Sequence, residues 1–185
     1  MFPSHDKKIL IKLSPLIDIQ HLVSSLKNIY KIWIIAVKNE VKEVLVYLKK
    51  TENRPEIYCI NLQSSEPEFH FNLDDEKHCQ SEFSIPKKYI YIPNNSVLKS
   101  GAFNLVSEKF GLKKLHQNTH IYTSEEKIEH FPGRIFETEE INSKAIKKGE
   151  QFNIITKNFP LKPEEIKKKH KLKDGGNHYL IAVIS

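Results

Sequence analysis

Five lysines crowd one short stretch, Lys167, Lys168, Lys169, Lys171 and Lys173. Ammonium groups at that density bind phosphate oxygens, so the plainest chemistry they offer is contact with a polyanion. The same stretch has a structural reading. Pro163, Glu164 and Glu165 precede it, and a helix that starts with proline and acids and ends with bases complements its own dipole. Further cations lie nearby in sequence, namely Lys144, Lys147 and Lys148, then Arg134, Lys157 and Lys162. Phe159 and Tyr179 add ring faces on which bases could stack, although aromatics of this kind more often fill a core.

The net charge of +6 divides unevenly. Residues 1–86 hold 11 Lys and Arg against 12 Asp and Glu, whereas residues 87–185 hold 18 against 11. The basic surplus therefore belongs to the second part, where it favours nucleic acid over a membrane surface as partner. Lysine outnumbers arginine by 27 to 2, which also fits a general lysine bias, so charge alone leaves both accounts open.

Other chemistries find little support. The six glycines form neither GxGxxG nor GxxxxGK[ST], so no phosphate-cradling loop is visible. His116 and His120 are spaced i, i+4 and His78 adjoins Cys79, but no third or fourth ligand follows at a metal-binding spacing, and no metal is expected. There is no GxSxG, and neither cysteine sits in a nucleophile signature. The pairs Glu125–Glu126 and Glu139–Glu140 read as solvated faces or helix starts, because sequence neighbours rarely face one site. Cys59 and Cys79 have no CxxC partner and are expected as reduced thiols. No apolar run approaches a membrane span, and residues 1–8 lack the apolar core of a secretion signal, so a cytoplasmic location without a membrane partner is expected.

The elements that must position these groups follow from periodicity. Residues 8–13 read as a buried strand ended by Ser14-Pro15. Residues 17–26 read as a helix with Asp18 as N-cap, and residues 32–37 as a second buried strand, giving a strand–helix–strand crossover over 9–37. Residues 41–48 fit a strand or an amphipathic helix, and the strand is favoured. Residues 56–62 and 68–73 alternate as a hairpin around a Ser-Ser-Glu-Pro turn. The polar stretch 74–82 is the best boundary. Beyond it come a strand at 88–92, a helix from 97 to 110 ended by Gly111, strands around 121–122 and 133–137, a small helix over 141–148, a strand at 151–157, and the basic helix. Asp174-Gly175-Gly176 then turns into a closing strand at 178–185.

The strings YIYIPNNSVLKSGAF (89–103), KLHQNTHIYTS (114–124), FPGRIFE (131–137) and NFPLKPEEIKKKHKLKDGGNHYLIA (158–182) resemble the C-terminal region of class I SAM-dependent methyltransferases that carry a THUMP-like domain. ILIKLSPLID (9–18) and IWIIAVKNEVKEVLVYL (32–48) resemble the late strands of that family's catalytic sheet. The resemblance implies an α/β plus α+β chain: a partial Rossmann-like methyltransferase sheet over 1–86, then a small α+β THUMP-like domain over 87–185. It also implies RNA as partner, with Arg134, Lys144, Lys147, Lys148, Lys157 and Lys162 joining the five clustered lysines as contacts. The family's SAM site needs a glycine-rich loop after its first strand, an acid after its second and a DP-type motif after its fourth. None is present, so SAM is implied only if an N-terminal half is supplied, and no cofactor is implied for this chain alone. Ser14, Pro15 and Asp18 would lie at the carboxyl end of the sheet as a cleft wall, or would be an ordinary capped turn. Where the family's string has an acid, this chain has Ile92, so an acid–base role at that position is in doubt.

Three readings remain from sequence. The chain is the substrate-binding portion of an RNA methyltransferase, a non-catalytic RNA-binding module, or an interaction protein that pairs through an exposed sheet edge near residues 9–37. A methyltransferase half or a second copy is the expected protein partner.

Overall fold

A computed structural model describes residues 7–139 and 146–183. The first sheet has the order β1-β3-β2-β4-β5, built from β1 (Ile9–Leu13), β2 (Ile29–Val37), β3 (Glu40–Leu48), β4 (Glu56–Leu62) and β5 (Phe69–Asn72). The helix α1 (Ile19–Ser25) starts where expected, with the Asp18 carboxylate accepting from the His21 N–H at 2.7 Å. Both β1 and β2 are antiparallel to β3, so they run the same way, as a crossover requires. They are not neighbours, however. The tight turn at Lys38 and Asn39, both at positive φ, folds β3 back between them. Only β1 of the 9–37 stretch lies at a sheet margin, and β2 is interior, so an edge over the whole stretch is corrected to an edge at β1.

β2 pairs in parallel with β4, which is longer than a bare hairpin needs and carries β5 antiparallel on its far side. The stretch 41–48 is a strand because alternate residues bury: Val44 and Val46 are wholly enclosed while Leu45 and Tyr47 stay half-buried. A helix would have turned these four to different sides.

The second sheet has the order β7-β8-β6-β9, from β6 (Tyr89–Pro93), β7 (Lys113–His116), β8 (Thr119–Ser124) and β9 (Gly133–Glu137). Between β6 and β7 the helix expected over 97–110 is two helices, α3 (Asn95–Ser100) and α4 (Phe103–Lys109). Gly101 at φ 80° ends α3 in the left-handed region, so Val97 and the pair Leu105 and Val106 reach the core from two axes. The polar stretch 74–82 contains a short helix α2 (Asp75–His78), and its Glu76 carboxylate accepts from the N–H groups of Asn104 and Leu105 at 2.8 and 2.7 Å, capping α4. The last layer is a parallel pair, β10 (Asn153–Lys157) and β11 (Tyr179–Val183), joined by α5 (Pro163–His170). The small helix expected over 141–148 lies largely outside the described residues, as does the end of the closing strand.

Two apolar clusters bind these layers. The larger runs from Ile32, Ile34 and Val46 of the first sheet through Val97 and Val106 to Tyr91 and Tyr122 of the second. The smaller, around Ile90, Ile92, Leu115 and Ile121, lies on the opposite face of the second sheet, against Ile155 and Ile181 of β10 and β11. Because β6 alternates between the two clusters, Tyr89 and Tyr91 serve the larger and Ile90 and Ile92 the smaller.

Among the six glycines, Gly133 has the closest backbone neighbours. A Cβ there would stand 2.2 Å from the Ile92 carbonyl oxygen and 2.7 Å from the Pro93 Cα, both backbone atoms that cannot swing aside. We expect Gly133→Ala to lower folding free energy by roughly 3 kcal/mol, read as a lower midpoint in urea denaturation. An unchanged midpoint would mean β6 and β9 separate at no cost.

Candidate nucleic-acid interface

The basic helix α5 forms as its sequence suggests. Pro163 occupies the first turn, Glu165 accepts from the Lys162 N–H at 2.7 Å, and Ile166 is the one buried residue, seated against β10. Lys171 caps the helix at φ 55°, and Leu172 re-enters the core. The segment 147–152 folds against this end. The Gly149 N–H donates to the Lys171 carbonyl at 2.8 Å, and Glu150 and Phe152 exchange backbone bonds with Lys173. Exposed Lys147 and Lys148 are thereby held beside exposed Lys171 and Lys173, with Lys168 and Lys169 in the last helical turn.

The other candidates divide. Lys167 is pinned by Asp174 and lies 3.8 Å from Glu164, so its charge is spent inside the fold. Lys162 is exposed at the opposite end of α5, about 14 Å from Lys171 at 1.5 Å per residue. Lys157 is half-buried at the end of β10. Lys144 lies outside the described residues. Arg134 stands apart on β9, where its guanidinium lies over the rings of Phe136 and Tyr179 at 5.4 and 5.8 Å.

At the carboxyl ends of β1, β2 and β4 the first sheet presents a polar rim. Ser14 and Asp18 belong to it, but their side chains bond within the turn, Ser14 Oγ accepting from Leu16 N–H and Asp18 from His21 N–H. Ser14, Leu16 and Asp18 are all exposed there, Leu16 at 90%. Sequence reasoning missed the larger feature of the rim, a group of amides around Glu66. Its Oε2 accepts from Asn61 Nδ2 at 2.8 Å and from Asn94 Nδ2 at 2.9 Å, while Asn94 Oδ1 caps α3 through the N–H groups of Ser96 and Val97. Only the helix-start pattern at Pro93-Asn94-Asn95-Ser96 pointed to it. The position that the resembling family gives to an acid holds Ile92, which is buried in the smaller apolar cluster.

The histidines assemble no metal centre among the described residues. His116 ends β7 and accepts from the Asn118 N–H, whereas His120, on β8, stacks on Phe103 with ring centroids 3.5 Å apart. Burial, then the charges of Lys114 and Lys157, push the His120 imidazole down from 6.5 to about 4. Lys114 is itself buried, donating to the Gln117 carbonyl at 2.9 Å. Cys59 and Cys79 are buried free thiols, pushed up to about 12 and about 11, with burial the largest cause in each case. Among the described residues no helix is long and apolar enough to cross a membrane.

With this geometry in view, residues 89–132 match a family model described as a ferredoxin-like domain, and residues 133–184 match one described as THUMP domain-like. The first segment contains no cysteine, so the likeness is one of fold. The boundary between the two matches falls at Gly133, where β9 begins. A crystal structure described as a "putative methyltransferase from Porphyromonas gingivalis W83" superposes with a TM-score of 0.84 at 34% identity, over 95% of this chain. The chain spans 47% of that protein's length. No curated protein matches. The sequence resemblance to THUMP-like, methyltransferase-related proteins thus holds, and the THUMP-like match covers 133–184.

His120 gives this region a pH signature. Its folded pKa lies below the ordinary value, so the stability it supports is complete above about 6.5 and is lost as pH falls toward 4. NMR titration should find one imidazole near 4, and His120→Phe, which keeps an aromatic partner for Phe103, should flatten the loss of stability between pH 6.5 and 4.

Proposed function

We propose that this chain is the C-terminal, substrate-binding portion of a SAM-dependent RNA methyltransferase, and that the SAM-binding half is polypeptide outside the sequence described here. The observation that carries the proposal is the superposition over 95% of the chain, at 34% identity, on a protein described as a methyltransferase of about twice the length. The order β1-β3-β2, with β3 inserted antiparallel, is compatible with it, since the resemblance implies the late strands that close that family's sheet.

Two surfaces suit an added half. β1 pairs only with β3 among the described residues, and Ile9 and Leu10 are 40% and 62% exposed, so its free side can accept another strand. The face of the first sheet turned away from the core is half-exposed and carries Trp33, Ile35, Leu45, Tyr58 and Ile60 across three strands, bordered by the Lys31–Glu56 and Lys12–Glu43 ion pairs. Strands that are apolar on both faces belong to sheets covered on both sides. The division near residue 86 is kept as part of the proposal, with the apolar core continuous across it.

RNA is the proposed substrate because the THUMP-like segment holds the exposed lysines of α5 and its flanks. Ser14, Pro15 and Asp18 are the proposed cleft wall, at the carboxyl end of the sheet where open α/β folds take ligands. SAM is the proposed cofactor of the completed enzyme. The chain alone should release no heat with SAM in calorimetry; measurable binding would show that the donor site does not need a second half. Single-stranded RNA should bind with an affinity that falls about 50-fold between 50 and 200 mM salt if four phosphates are neutralised. A flat salt response would remove RNA from the proposal.

A further inference from the structure

In a chain with 27 lysines, the two arginines mark positions that use a planar guanidinium. Arg54 spends its group on Asp74, with Nε 3.2 Å from the carboxylate. Arg134 does something different. It meets no carboxylate within ion-pair distance among the described residues, and it lies over two rings instead.

The local fold explains the arrangement. Arg134 pairs with Ile92 and Phe136 with Ile90, so both project on the face of the second sheet that β10 and β11 cover. Tyr179 opens β11 at the rim of that layer, and its ring meets Phe136 at 4.9 Å with the planes tilted by 58°. The two rings form a notch, and the guanidinium lies over it. Arg134 is exposed and Tyr179 is 41% exposed, so the outer side of this stack faces solvent.

The guanidinium carbon stands 5.4 and 5.8 Å from the two ring centroids and the residue is exposed, so the solvent side of the group is open. An unpaired nucleobase is the ligand that matches the open face, because it stacks on guanidinium and aromatic planes alike, and the charge adds attraction for a neighbouring phosphate. We propose that Arg134, Phe136 and Tyr179 form a base-stacking platform for single-stranded RNA, separate from the phosphate-binding lysines at the end of α5. The assignment rests on the RNA-binding reading above and adds a contact that reads the base rather than the backbone.

The test separates stacking from charge and from stability. Fluorescently labelled single-stranded RNA, the same strand with abasic sites, and inorganic polyphosphate are titrated against the full chain and against Arg134→Lys, Tyr179→Leu and the double variant. Arg134→Lys keeps the charge and loses the plane. We expect it to weaken RNA binding about tenfold with the salt slope unchanged, and Tyr179→Leu to act similarly. The abasic strand should bind the original chain as weakly as intact RNA binds the double variant, and polyphosphate should not distinguish the proteins. Lower melting temperatures with unchanged RNA affinity would make the cluster a mere latch between β9 and β11 and overturn the platform. Equal RNA affinity for all four proteins, with a steep salt slope, would overturn it while leaving RNA binding intact. No binding of RNA by the original chain would overturn both readings together.

Discussion

The two sheets are joined at one carboxylate. Glu66, in the turn between β4 and β5, draws Asn61 from the end of β4 and Asn94 from the end of β6 onto the same oxygen. The bonds extend outward from there. Asn61 Oδ1 accepts from the Asn39 N–H at the β2–β3 turn, and Asn39 in turn accepts from the backbone and side chain of Asn95 at 2.7 and 2.6 Å. Asn94 is almost wholly buried and sits at the start of α3, so its other amide atom is occupied as an N-cap. Each amide in the chain of bonds orients the next, and a buried polar group that lost its partner would cost more than the bond itself contributes. The network therefore fixes where α3 enters the space between the sheets.

That position decides the packing below it. α3 lies against β2, β3 and β4, and Val97 meets the enclosed valines and isoleucines of the first sheet. Gly101 then turns the chain so that α4 can fill the remaining space with Leu105 and Val106, its N-terminus satisfied by Glu76. Burial raises the Glu76 pKa while the α4 amides oppose the rise, and the attraction of Glu76 for Lys114 partly offsets the burial that lowers Lys114. Two charges of opposite sign are thus retained in one half-buried layer, where either alone would be costly. The polar stretch from 74 to 82 is consequently a fastening and not a loose connection.

Much of the local structure was legible because it depends on local chemistry. The Asp18 cap, the hairpin over 56–73 and the basic helix all follow from residues within a few positions of one another. What stayed hidden depends on distance in sequence. Glu66 and Asn94 meet across 28 residues, and nothing near either one signals the other. β7 was not visible as a strand because Lys113 and Lys114 break its apolar pattern, and Lys114 is buried only because Gln117 and the surrounding layer receive it. The pattern over 97–110 is that of one continuous helix because a single glycine in a helical pattern does not by itself end a helix, whereas here Gly101 takes the left-handed conformation that ends α3. Composition drew attention to the lysines around α5, but it could not separate Lys167, held by Asp174, from its exposed neighbours.

The same distinction bears on how the proposed enzyme would work. Exposed lysines on a short helix hold a strand by its phosphates and tolerate almost any sequence or register, whereas a ring-backed guanidinium holds one base at one place. A methyl transfer requires the second kind of contact, because effective reaction demands that the target atom sit within a few tenths of an ångström of its attack geometry. The amide network around Glu66 supplies the rigidity that such positioning needs, since it ties the carboxyl-end rim of the first sheet to β6, and β6 is paired directly with the strand that holds Arg134. On the proposed reading, a base stacked on that strand is held at a fixed offset from the rim. On the same reading the exposed lysines of α5 would retain the rest of the RNA.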